Sequence, residues 1–169
     1  MQLSVARELI PLAAPFTITG YTFTDVTVVV ARIGERGTAG AGEAAGVYYL
    51  GDDADRMCAA IEQVREDVEA GVDRESLRHL LPPGGARNAI DCALWDLEAK
   101  RLGQPVWRIA NLERPRALVT TFTIPANDPG AMAGKAVEYA QAKSLKLKLT
   151  GELPLDAERV RAVRKARSD

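Results

Sequence analysis

The segment Ser144-Leu-Lys-Leu-Lys-Leu-Thr-Gly151 constrains this chain most. Leucine alternates strictly with lysine, which fits a β-strand, where successive side chains point to opposite faces. Leu145, Leu147 and Leu149 then share one face, and Lys146 and Lys148 share the other. A pure leucine face is normally covered by helices. The lysine face has two readings. It faces water, as charged edge strands commonly do, or it lies inside the protein, where two neighbouring ammonium groups are costly unless they do chemistry. Alternate strand residues lie roughly 6–7 Å apart. At that range enclosure and mutual repulsion both disfavour the charged form, and one lysine could then serve as a neutral general base.

The flanking sequence bears on this choice. Leu118 to Ile124 reads as a strand, Pro129 to Ala142 as a helix, Leu145 to Leu149 as a strand, and Pro154 to Arg167 as a helix with Leu155, Val160 and Val163 inward. The run Glu158 to Arg167 reads as a solvated helix face. Strand and helix alternating through short links imply parallel strands, which seldom face water when interior. Lysines on such a strand, just before Thr150-Gly151, point to the mouth where βα enzymes carry their sites. Two βα units cannot close a barrel, so further units are expected from elsewhere.

The first part of the chain has a different rhythm. Leu3 to Ile10, the β-branched run Asp25 to Ile33, and glycine-rich Thr38 to Ala45 read as an antiparallel three-stranded meander, turning at Gly34-Glu-Arg-Gly37. Pro11 to Thr24 reads as a long loop bearing Phe16, Thr17, Thr19, Tyr21, Thr22 and Phe23, and loops of that length are often functional. Helices are expected over Asp52–Ala70, with Asp52 or Asp53 as N-cap, over Arg74–Leu81, and over Ala86–Leu102, ended by Gly103. A short helix follows over Pro105–Ile109.

Composition narrows the partners. The net charge is -1, from 22 basic and 23 acidic residues, which favours neither nucleic acid nor an anionic membrane. No apolar run approaches the ~20 residues of a membrane span, and Met1-Gln-Leu-Ser-Val5 lacks the features of a secretion signal, so a cytoplasmic protein is expected. Cys58 and Cys92 read as buried, reduced thiols, and the single histidine, His79, as a surface or capping residue.

Ala86-Arg-Asn-Ala-Ile-Asp-Cys-Ala-Leu-Trp-Asp-Leu-Glu-Ala-Lys100, followed by Gly103-Gln-Pro-Val106, resembles the helix motif of the mandelate racemase and muconate lactonizing enzymes of the enolase superfamily. Thr121-Phe-Thr-Ile124 and Lys146-Leu-Lys148 resemble that group's first two barrel strands, and the whole chain is most similar to its dipeptide epimerases of the L-Ala-D/L-Glu type. The resemblance implies an α+β capping domain over residues 1–114, made of a three-stranded meander plus helices. The first two βα units of a modified TIM (β/α)8 barrel would follow over 115–169.

It also implies an isomerase that epimerises dipeptides by abstracting the proton α to a carboxylate, through a Mg2+-stabilised enediolate. Lys148 would be the base on one face, while Lys146 would orient the carboxylate and favour the neutral form of its neighbour. Thr123 would contact substrate, and Tyr21 is a further candidate from its place in the loop. The opposing lysine and the three acidic metal ligands would lie beyond Asp169, so this chain would be catalytically incomplete by itself. Asp91 and Asp96 read as structural acids of the motif helix.

There are departures from the pattern. Arg108-Ile-Ala-Asn-Leu112 stands where relatives carry Leu-Leu-Gly-Gly. Residues 11–24 have no charged side chain, whereas glutamate-selecting relatives carry an arginine there, which favours a hydrophobic or other non-acidic dipeptide. The alternatives are an N-succinylamino-acid racemase, o-succinylbenzoate synthase or cycloisomerase, or a non-catalytic assembly module, with a homo-oligomer possible in each case.

Overall fold

The computed structural model describes residues 1–168, except the side chain of Tyr48. Two compact units are present. One comprises Met1–Ile10 and Val26–Pro115, and the other Pro11–Asp25 and Arg116 onward.

A three-stranded sheet has the order β1-β2-β3, with β1 at Gln2–Ile18, β2 at Tyr21–Glu35 and β3 at Thr38–Ala45; the parts of β1 and β2 outside residues 11–25, and all of β3, belong to the first unit. β2 and β3 pair antiparallel from Glu35↔Thr38 to Val28↔Ala45. Val29, Ala31 and Ile33 alternate along β2 and are each 0% exposed on the face toward the helices. Val28 and Val30, which alternate with them, are also buried at 3% and 7% exposed, so this β-branched stretch is enclosed on both faces as far as Ala31.

The helices are α1 (Ala54–Gln63), α2 (Arg65–Ala70), α3 (Arg74–Leu80), α4 (Gly85–Leu102) and α5 (Val106–Ile109). Asp53, not Asp52, caps α1 by accepting from the Arg56 N–H at 2.9 Å. Asp52 instead accepts from the Gly85 N–H at 2.9 Å, where α4 begins. Gly103, at φ 61°, ends α4 in the left-handed conformation expected of a C-cap. Met57, Ile61, Val68, Leu77, Ala89, Ile90, Ala93 and Leu97 join the sheet residues in one core.

Several expected boundaries move. The single helix over Asp52–Ala70 is interrupted at Val64, whose ψ of 11° breaks the ladder. The region 11–24 is not a loop. β1 and β2 continue through it and turn at Thr19-Gly20, with Gly20 at φ +75°. Its threonine-rich, β-branched composition suits a hairpin arm, and a glycine supplies the positive φ that a tight turn needs. The thiols are free, but Cys58 is only half-buried and Cys92 is exposed. His79 is exposed on α3.

The second unit contains β4 (Phe122–Ile124), α6 (Pro129–Glu138), β5 (Leu145–Leu147) and α7 (Leu153–Ala166). The strands pair in parallel in the register Phe122↔Leu145, Thr123↔Lys146 and Ile124↔Leu147. Both strands are shorter than the sequence pattern suggested, and α6 stops four residues early. Asp128 caps α6 by accepting from the Ala131 N–H at 2.9 Å. Ile124, Met132, Ala136 and Val163 form this unit's core, with Tyr139, Leu145 and Leu147 packed against them. Arg167 donates to the carbonyls of Ala136, Tyr139 and Ala142, tying the end of α7 to the exit from α6.

The inward stripe of α7 differs from expectation. Val160 is 44% exposed, while Asp156 and Arg159 are 7% and 6% exposed and lie beside buried Val163. The run Glu158 to Arg167 is therefore not a uniformly solvated face. Arg159 within it points inward because it bonds to the loops beneath it, as does Asp156 just before the run.

Candidate functional site

Leu145 and Leu147 pack against the helices, and the alternation of the strand sends Lys146 to the opposite face. Neighbouring residues in a parallel pair point the same way, so Thr123 stands beside Lys146 on that face. Lys148 lies one residue beyond the end of β5, and its backbone N–H donates to the Ile124 carbonyl at 3.0 Å, extending the ladder by one bond. Lys146 is exposed, while Lys148 and Thr123 are half-buried. Leu149 departs from the expected leucine face: it is 38% exposed and outside the helix-packed cluster.

The tip of the β1–β2 hairpin belongs to the same unit and reaches these strand ends. The Thr19 hydroxyl donates to the Leu149 carbonyl at 3.1 Å, and the Ala126 N–H donates to the Thr17 carbonyl at 3.2 Å. Tyr21 follows the turn, its ring 4.4 Å from that of Phe23 between centroids. Thr123, Lys146 and Lys148 are thus brought together on adjacent strand ends. Tyr21 is carried to the same end by the hairpin and is itself 51% exposed.

Sequence reasoning missed the network behind Lys148. Asp156, on the first turn of α7, accepts from the N–H groups of Thr150 at 3.2 Å and Gly151 at 2.8 Å. Arg159 donates through Nη1 to Asp156 Oδ1 and to Thr150 Oγ1, both at 2.7 Å, and through Nε to the Asn127 carbonyl at 2.6 Å. Burial pushes the Asp156 carboxyl upward, but the Arg159 guanidinium and the two backbone donors outweigh it and hold the group below the usual aspartate value. The available signal was the spacing of Asp156, Arg159 and Val163, at i, i+3 and i+7 on one helical face.

The acids of the motif helix have a different use. Asp96 accepts from the Lys100 ammonium at 2.7 Å and from the Ala41 N–H at 2.8 Å, tying α4 to β3. Among the described residues no three His, Cys, Asp or Glu side chains are grouped so as to hold a metal ion, and no helix is long and apolar enough to cross a membrane.

Residues 1–110 match the family described as the mandelate racemase / muconate lactonizing enzyme, N-terminal domain, and the chain belongs to that family. Within it, similarity runs to dipeptide epimerases. The L-Ala-D/L-Glu epimerase of Escherichia coli is 35% identical over 167 residues, a match covering 99% of this chain and 52% of that protein. Among solved structures, an enolase family member from Agrobacterium tumefaciens with homology to dipeptide epimerases superposes with a TM-score of 0.90 at 38% identity. That match covers 98% of this chain and 50% of the other, whose structure holds sodium and L-Ala-L-Glu with an ordered loop. The dipeptide epimerase from Methylococcus capsulatus, complexed with Mg and L-Arg-D-Lys, superposes with a TM-score of 0.88 at 27% identity, covering 99% of this chain and 50% of that one. The chain spans about half the length of the curated relatives it matches.

Proposed function

We propose that this chain carries one half of the active site of a dipeptide epimerase, with residues 1–114 as its capping domain and 115–169 as the start of its barrel. One observation carries the reading: Thr123 and Lys146 share the helix-free face of two parallel strands, with Lys148 one residue past the end of the second, in a chain similar to dipeptide epimerases along nearly all its length.

In this reading the neutral amine of Lys148 takes the proton α to the substrate carboxylate and becomes an ammonium. The electron pair of the C–H bond moves into the carboxylate, giving an enediolate. Proton return from the other face inverts the centre. Lys146, next along the same face, sets a positive charge beside the carboxylate as it gains electron density. Thr123, its neighbour across the register, offers a hydroxyl to the same substrate end, and Tyr21 on the hairpin contacts the far end. Mg2+ is supported by the relatives that bind it together with a dipeptide. The described residues supply no ligand set for it, so none of them is assigned as a ligand.

The relatives support a dipeptide substrate, and the hairpin bears on the choice of its far end. Residues 11–24 bear no charge, which suits an uncharged second residue, whereas the Agrobacterium relative holds L-Ala-L-Glu. A panel of dipeptides should therefore include L-Ala-L-Glu and apolar pairs, along with N-acyl amino acids. Incubation of the intact protein in D2O with magnesium is expected to wash deuterium into the α-position of at least one dipeptide. Incorporation only into N-acyl amino acids would replace this reading with the racemase alternative. Incorporation into none would remove it.

A further inference from the structure

We infer that the buried Asp156–Arg159 pair positions Lys148 for proton transfer, by clamping the Thr150-Gly151 backbone that follows it. The inference rests on the reading of Lys148 as the base. β5 pairs with β4 over only three residues, Leu145 to Leu147, so Lys148 is not held within a regular ladder. Its own N–H donates to the Ile124 carbonyl. Everything further along the backbone is fixed from outside the sheet. Leu149 is bonded through its carbonyl to Thr19, and Thr150 and Gly151 through their N–H groups to Asp156. Gly151 sits at φ +92°, so the chain turns sharply into α7 at this point.

Among the described residues, Asp156 and Arg159 are the charged side chains counted as buried. Removing two charges from water is expensive, and a hydrophobic pair of similar volume is often as stable. What a hydrophobic pair lacks is directional bonding. Asp156 accepts both N–H groups of one turn, and Arg159 joins that turn to the Asn127 carbonyl, in the loop leaving the neighbouring strand. The ends of β4 and β5, and with them Thr123, Lys146 and Lys148, are thereby fixed against one another. A long, flexible lysine stem needs a fixed base to deliver its amine repeatedly to one carbon, and a 1 Å displacement can cost on the order of 10²-fold in rate.

The test uses the intact protein and measures deuterium wash-in from each substrate epimer separately. Asp156→Asn keeps the shape and removes the charge. It is expected to lower kcat for the epimer whose proton Lys148 removes by about 10–100-fold, while KM and the rate from the opposite epimer stay within about 3-fold. Thr150→Val, which removes only the hydroxyl that Arg159 donates to, is expected to give a smaller loss of the same one-sided kind, and it keeps the test available if Asp156→Asn fails to fold. Equal losses from both epimers, or a lower melting temperature with unchanged rates, would make the pair purely structural and overturn the inference. Lys148→Ala is run in parallel. If it leaves exchange from both epimers intact, the assignment of the base has failed. If it abolishes exchange from one epimer while the clamp variants act evenly on both, only the positioning role has failed.

Discussion

Replacing Gly42 with alanine tests the packing of the first unit most sharply. On β3, Gly40 and Gly42 face α4. A Cβ built on Gly42 would lie 2.1 Å from the Ala89 carbonyl oxygen, 2.5 Å from the Ala93 nitrogen and 2.8 Å from the Cys92 Cβ. The two nearest atoms are helix backbone, so no side-chain rotation relieves the overlap. Ordinary contact begins near 3.4 Å, and strand and helix must therefore part by roughly 1 Å in a core that is packed at crystal-like density. The same helix carries Ala89, Ile90 and Ala93 at 0% exposure and Leu97 at 3%, and their contacts loosen with it. Overpacking of this kind costs about 3 kcal/mol or more, equivalent to a fall in Tm of roughly 6–12 °C at this chain length. Urea denaturation followed by circular dichroism measures it directly, with an unchanged m-value confirming that stability alone has moved. A Gly42→Ala protein within ~0.5 kcal/mol of the parent would refute the close approach of β3 and α4.

Gly134→Ala should do the opposite. This exposed α6 position has nothing within 4 Å of the added Cβ, so the variant is expected to gain about 0.5–1 kcal/mol in the same assay. Asp53→Ala removes the acceptor for the Arg56 N–H and should cost about 1 kcal/mol through loss of the α1 cap. Lys100 and the Ala41 N–H hold the Asp96 carboxyl below its ordinary value of 3.8, so the stability it contributes is complete above that pH and is lost as the pH falls through the depressed value. Asp96→Asn should accordingly flatten the acid limb of a stability–pH profile and leave its slope near neutrality unchanged.

Patterns that involve neighbouring residues were legible in the sequence. Alternation in Leu145–Leu147 sorted helix-facing from helix-free side chains, the apolar stripe of α4 named the buried face, and Gly103 marked its end. The glycines of β3 were visible as a strand, but not as the flat surface on which α4 rests. That role depends on Ala89 and Ala93, which lie about fifty residues away. The hairpin arm was read as a loop because its alternation has little burial to show: most of residues 11–25 are exposed, so no apolar face announces the strand. Asp156 and Arg159 were hidden for the converse reason. Charged residues on a helix are usually solvated, and it is the carbonyl of Asn127, the hydroxyl of Thr150 and the N–H groups of Thr150 and Gly151, brought near by the fold, that make their burial affordable.

The central claim is that Lys148 removes the α-proton from one face of a dipeptide. Deuterium incorporation from D2O, followed by mass spectrometry for each epimer separately, compares the intact protein with its Lys148→Ala variant. The account predicts that the variant loses wash-in from one epimer and retains it from the other. Incorporation from both epimers at equal rates, whether undiminished or reduced alike, would contradict it.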